Sequence, residues 1–236
     1  MYDNTIALPQ QQQYAAVMAL RQFMVKTYGW MAFALTITAC VALFTAFNPA
    51  MRNIVFSHGV FIGLIIGELA LVLILSAAIR SLSPALATAL FVIYSAVNGL
   101  TLSVIFLVYE LGTIYSAFFI TSGMFAVMAV YGSITRRDLT SIGNLCFMAL
   151  IGLIIASVVN LFWASSALYW LVTYAGVFIF VGLTAYDAQK VKMMAISAQG
   201  ENVVILQKAA IMGALALYLD FINLLLFILR LLDRRK

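Results

Sequence analysis

The stretch ALYLDFINLLLFILRLL, residues 216–232, decides how this chain folds. It is almost wholly apolar, yet Asp220 stands near its middle. An ionised carboxylate at the centre of a bilayer costs roughly 2.5 to 3.5 kcal/mol on insertion scales. A neutral residue would be cheaper, so Asp220 needs a partner or a task. A crossing helix needs about 20 apolar residues, and residues 209–232 supply that length.

The same pattern recurs through the chain. Apolar runs fall at 28–47, 59–79, 84–108, 113–133, 143–164, 167–187 and 209–232, which predicts seven transmembrane helices. Of the 236 residues, 65% are hydrophobic and 9% charged, with a mean hydropathy of +1.10. A soluble domain is roughly 45–50% apolar, so the composition specifies an all-α integral membrane protein. The connections are short, and the longest, about 188–208, has no room for a soluble domain. We expect a polar cytoplasmic N-terminal segment over 1–27 and a single seven-helix membrane domain over 28–236. The first apolar run starts too late for an ordinary cleaved signal peptide. Residues 37–40, ITAC, have the look of a lipoprotein cleavage box, but the apolar run continues to Phe47 and suits a first spanning helix better.

The net charge is +5 and the pI about 9.3. The basic residues lie mostly between apolar runs, where they orient the chain and form no nucleic-acid patch. With the N-terminus in the cytoplasm, Arg21, Lys26, Arg80, Arg136, Arg137, Lys190, Lys192 and Lys208 fall inside and Arg52 outside. A seventh crossing then sends Arg230, Arg234, Arg235 and Lys236 outward, against the rule. The alternative is a re-entrant last segment; its length and the lack of a turn signal favour crossing. Cys40 and Cys146 both sit in apolar runs and match no metal or redox spacing.

Gly59, Gly63 and Gly67 repeat every four residues on the second helix and predict a smooth face for close helix contact. The triplet Gly99, Leu100, Thr101 recurs as Gly182, Leu183, Thr184, which hints at two three-helix halves that leave the seventh helix central.

Three acidic residues lie within apolar runs: Glu68, Asp187 and Asp220. Each has a plain reading. Glu68 follows Gly67 as a hydrogen-bonding packing residue, Asp187 is a helix end facing water beside Lys190 and Lys192, and Asp220 makes a polar contact with Asn98, Asn160 or Glu68. In the other reading Asp187 and Asp220 meet, although their depths differ by roughly 8 Å at about 1.5 Å per residue. Two carboxylates that meet in low dielectric cannot both ionise cheaply, so the pair holds one proton between them. Such a pair is a proton sensor, a cation site or an acid/base dyad.

The elements GLTAYDAQK (182–190) and LYLDFINLLLFILRLL (217–232) closely resemble the signature of the Bax inhibitor family, also called the transmembrane Bax inhibitor motif family. Helix count and spacing agree over essentially the whole apolar chain, while the specific motifs lie in the last two helices. The resemblance implies six helices around a central C-terminal helix, in the plasma (inner) membrane of a bacterium. It implies a pH-sensitive calcium leak in which two aspartates, corresponding to Asp187 and Asp220, hold the pore closed near its cytoplasmic side; the chemistry of two carboxylates adds a shared proton and only transient calcium binding. It further implies a latch arginine after the second helix, for which Arg80 is the candidate, and an acidic position in the ion path, which Glu68 matches. No cofactor is implied. The partners are the bilayer, calcium and protons, and, in the alternative reading of a non-conducting regulator, a membrane protease or other membrane complex.

Intramembrane aspartyl proteases also carry Tyr-Asp in one helix, as in Tyr186 and Asp187. Their second motif places glycines before the other aspartate; here Leu217, Tyr218 and Leu219 stand there instead. The sole histidine, His58, falls in a predicted outer loop, which disfavours serine or metal proteolysis.

Overall fold

The computed structural model describes residues 10–79, 81–197 and 202–233. Among them the order is α1 (Gln10–Phe47), α2 (Pro49–Val55), α3 (His58–Ala78), α4 (Pro84–Leu102), α5 (Ile105–Val108), α6 (Leu111–Ile134), α7 (Thr140–Trp163), α8 (Ser166–Ser197) and α9 (Val203–Leu232). Seven helices are long and apolar enough to cross a membrane, with α4 and α5 forming one span. Helices are the natural outcome, because a lone segment in hydrocarbon can satisfy its backbone polar groups only internally.

α9 is the core. It packs against α1, α4, α6 and α8, while α3 leans on α4 and α7 on α8. Other helices bury most of α9 and very little of α3 or α7. It runs without interruption from Val203 to Leu232, so the chain reversal that a re-entrant segment needs is absent.

The expected spans agree with the helices to within a few residues, with three differences. α1 starts at Gln10, so the polar stretch from there to residue 27 is helical and continuous with the first span. The expected connection 188–208 is largely helix: α8 continues to Ser197 and α9 begins at Val203. Lysines, glutamine, alanine and methionine are good helix formers, so the helix outlasts the apolar run. The third span is broken after Leu102, where the Ser103 hydroxyl donates to the Leu100 carbonyl at 2.6 Å and the Thr101 hydroxyl reaches the Asn98 carbonyl at 3.0 Å. Side-chain bonds of this kind compete with the helical ladder and bend it.

The glycines contradict the expected packing. A Cβ added to Gly59, Gly63 or Gly67 meets nothing within 4 Å. Their stripe faces out of the bundle, because α3 is an outer helix that turns its Glu68 side inward. The close approaches are elsewhere. A Cβ on Gly132 of α6 would strike the Ala185 backbone of α8, and one on Gly213 of α9 would lie 2.8 Å from Val191 and 3.1 Å from Thr27.

Candidate functional site

Residues 185–190 of α8 are gripped from two sides. Gly132 lets α6 lie on Ala185, and Gly143 of α7 leaves room for the Tyr186 ring. Gln189 ties the α6–α7 turn to the same segment: its Oε1 accepts from Leu139 N at 2.8 Å and its Nε2 donates to the Arg137 carbonyl at 2.7 Å. Asp187 is therefore held rigidly and turned toward α9.

Asp187 is 7% exposed and Asp220 4% exposed, and their carboxyl groups lie within hydrogen-bonding reach of each other. Asp187 Oδ1 and Asp220 Oδ2 are buried and have no hydrogen-bond partner among the described residues. Two carboxyl groups bond to each other only when one carries a proton, since a carboxylate has no donor. Among the described residues Lys190 is the cation whose field reaches both acids; its ammonium lies 5.7 Å from the centroid of the Tyr186 ring. Cys146 of α7 is also within electrostatic reach of Asp220.

Asp187 is thus not a helix end in water. α8 carries on beyond it to Ser197, and the residue is buried. The depth difference estimated from the apolar runs closes because those runs do not mark where the helices end. Asp220, likewise, does not contact Asn98; its partner is Asp187.

Glu68 belongs to a separate cluster on α3, α4, α9 and α1. Its Oε1 accepts from the Thr101 hydroxyl at 2.6 Å, and the Asn98 side chain also reaches it. Asn98 Oδ1 in turn accepts from the Tyr218 hydroxyl at 3.0 Å, and that hydroxyl lies 2.7 Å from Thr38 Oγ1. Glu68 is half-buried and faces this network. Thr101, Tyr218 and Gln189 have no role in a site in the sequence reading. The available signal was that a tyrosine in an apolar helix places its hydroxyl against a partner when buried.

Arg80, the candidate latch, lies outside the described residues. No group of three or more His, Cys, Asp or Glu side chains gathers as a metal cage among the described residues. His58 is exposed at the start of α3.

A profile of the family described as "Inhibitor of apoptosis-promoting Bax1" matches residues 20–236. The chain belongs to the Bax inhibitor family. It is 51% identical over 218 residues to the inner membrane protein YbhL of Escherichia coli K12, covering 92% of this chain and 93% of that one. An uncharacterised protein of Deinococcus radiodurans is 43% identical over 98% of this chain and 96% of its own, and one of Borreliella burgdorferi 42% over 95% and 97%. In this Bax inhibitor family chain the two signature stretches are the ones that meet: residues 182–190 present Asp187 and residues 217–232 present Asp220.

Proposed function

We propose that this protein is a pH-sensitive calcium leak of the bacterial inner membrane, closed by the proton shared between Asp187 and Asp220. The observation that carries this reading is the carboxyl pair itself, buried between α8 and the central α9, with Asp187 Oδ1 and Asp220 Oδ2 hydrogen-bonded to no described group. With the proton in place, the two helices are joined by a short, strong bond. Without it, two negative charges face each other in low dielectric and the contact is driven apart. A cation arriving at the pair supplies the missing positive charge, so calcium favours the open arrangement and protons the closed one. Two carboxylates offer fewer oxygens than the 6–8 that calcium usually takes, which suits transient binding and passage. Lys190 stands beside the pair as an internal counter-charge. Glu68, on the other side of α9, is the second acidic group assigned to the path.

The chain is oriented with its N-terminus in the cytoplasm, on the strength of its loop charges. Transport is favoured over hydrolysis because Leu217, Tyr218 and Leu219 stand where glycines would have to let a peptide backbone approach Asp220.

The test is calcium entry into liposomes that contain the purified protein and nothing else. Flux that rises with pH supports the leak. Absence of flux at every pH from 6 to 8, with folded protein present, overturns it and favours the non-conducting regulator.

A further inference from the structure

Two cavities adjoin beside α9. One, of about 620 Å³, lies at the end of the bundle that carries the α8–α9 connection; Ile79, Met194, Ile205 and Met212 give it apolar walls, and Lys190 and Lys208 supply its charge. The other, of about 410 Å³, runs along α9 from Met212 to Phe227, with Leu150 and Ile154 of α7 opposite. Ser76, Lys190 and Met212 line both. The second cavity is a slot walled by α7, α8 and α9, with Ser76 of α3 at one end; α3 leans on α4 and α7 on α8, so neither closes it from the bilayer side.

We infer that the two cavities form one site for an anionic phospholipid, with its phosphate between Lys190 and Lys208 and one acyl chain in the slot over Leu219 and Ile154. Three features single out this occupant. The first is length: residues 212–227 cover roughly 22 Å at about 1.5 Å per residue, more than the ~15 Å depth of one hydrocarbon leaflet, so a full chain fits. The second is width, since a helix about 10 Å across fills several times this volume over the same length; the slot does not seat a second protein chain. The third is charge. Basic crevices at the ends of spanning helices suit anionic headgroups, and a zwitterionic lipid would bring its own cation against two ammonium groups. The Lys208 ammonium donates to the Leu82 carbonyl at 3.1 Å, which holds it at the rim. The slot wall also carries Asp187, Asp220 and Asn223; the Asn223 amide is turned back and donates to the Leu219 carbonyl at 2.8 Å, and the two carboxyl groups are the polar patch that an acyl chain has to cover. An acyl chain lying there covers the Asp187–Asp220 pair from the bilayer side.

The site is tested on purified wild-type protein in neutral detergent by thermal melting with added phosphatidylglycerol, phosphatidylcholine of the same chains, or inorganic phosphate. Phosphatidylglycerol raises the melting temperature by roughly 5 °C and the other two by no more than about 1 °C. Equal shifts from the two lipids overturn the charged headgroup site, and a full shift from phosphate alone shows a soluble-anion site and overturns the lipid assignment. Combined Lys190→Gln and Lys208→Gln abolishes the preference for phosphatidylglycerol, and Leu219→Trp, which fills the slot, reduces the shift; either variant responding as wild type overturns the placement. Native mass spectrometry of the wild type in mixed phosphatidylglycerol and phosphatidylcholine gives a reading that needs no variant: preferential retention of the anionic lipid is expected, and equal retention overturns the proposal. None of these readings uses ion flux, so a failure here leaves the leak proposal standing.

Discussion

Tyr218 and Asp220 stand two residues apart on α9 and bond to opposite sides of the bundle. Tyr218 is completely buried and reaches Asn98 of α4 and Thr38 of α1, while Asp220 meets Asp187 of α8. Successive helical residues turn by about 100°, so two positions amount to roughly 200°. The central helix is therefore fastened on one side by neutral hydrogen bonds and on the other brings its carboxyl group to a second buried carboxyl group. On the function proposed above, only the second contact answers to pH between 6 and 8.

The carboxyl pair sets the first prediction. In wild-type liposomes calcium entry increases from pH 6 to pH 8, since loss of the shared proton replaces an attraction with a repulsion. Asp220→Asn keeps a hydrogen bond to Asp187 without that repulsion, and Asp187→Asn does the same from the other side. Each variant flattens the pH response; an undiminished response in either removes the pair from the gate.

Tyr218→Phe retains the ring among Phe91 and Tyr94 but leaves Asn98 without its donor. An unsatisfied buried partner costs roughly 1–3 kcal/mol, so the variant melts lower in detergent. Its flux still rises with pH, because the proton-dependent contact is on the other face. Glu68→Gln, in contrast, reduces cation flux while the amount of folded protein stays near that of wild type. Unchanged flux assigns Glu68 to packing alone.

The glycines separate in a way that inverts their sequence pattern. Gly132→Ala forces a methyl group onto the Ala185 backbone and costs roughly 1–3 kcal/mol, with α8 and its Asp187 displaced. Gly63→Ala meets open space and is neutral or gains up to about 1 kcal/mol from helix propensity. Melting temperatures of the two purified variants check the order, and a larger loss at Gly63 contradicts the packing described.

Asp138 provides a control outside the spans. The Thr140 hydroxyl at 2.6 Å and the Thr140 backbone N–H at 2.9 Å both donate to its Oδ1, and they hold its carboxyl below the usual carboxylate range. A depressed carboxylate adds stability above its unfolded pKa and loses it as pH falls through the lower folded value; both lie below about 4. Asp138→Asn therefore leaves the pH response of flux between 6 and 8 intact, and a flattened response locates a proton sensor in the α6–α7 turn instead.

Topology is checked by reporters. An odd number of crossings puts the two ends on opposite sides, so a reporter fused after Lys236 is active outside the cytoplasm. Activity confined to the cytoplasm refutes the orientation.

The amino-acid sequence by itself determined how many spanning helices there are and roughly which residues they use, because an apolar run of some 20 residues has one stable form in a bilayer. It also singled out Asp187 and Asp220, since charged residues in such runs are costly enough to be conspicuous. What it left open depends on direction around each helix, and apolar runs do not reveal which side faces a neighbour and which faces lipid. Gly59, Gly63 and Gly67 thus read as a contact face although they turn outward, and the contacts fell to Gly132 and Gly213. Helix ends were equally hidden: Asp187 looked like a terminus because the apolar run stops there, while backbone hydrogen bonding continues to Ser197. Only tertiary packing brought the two carboxyl groups together, placed Tyr218 with Asn98 and Thr38, and opened the slot along α9 beside α7 and α8. Each of these depends on where separate helices lie relative to one another, which bilayer partitioning of single segments does not specify.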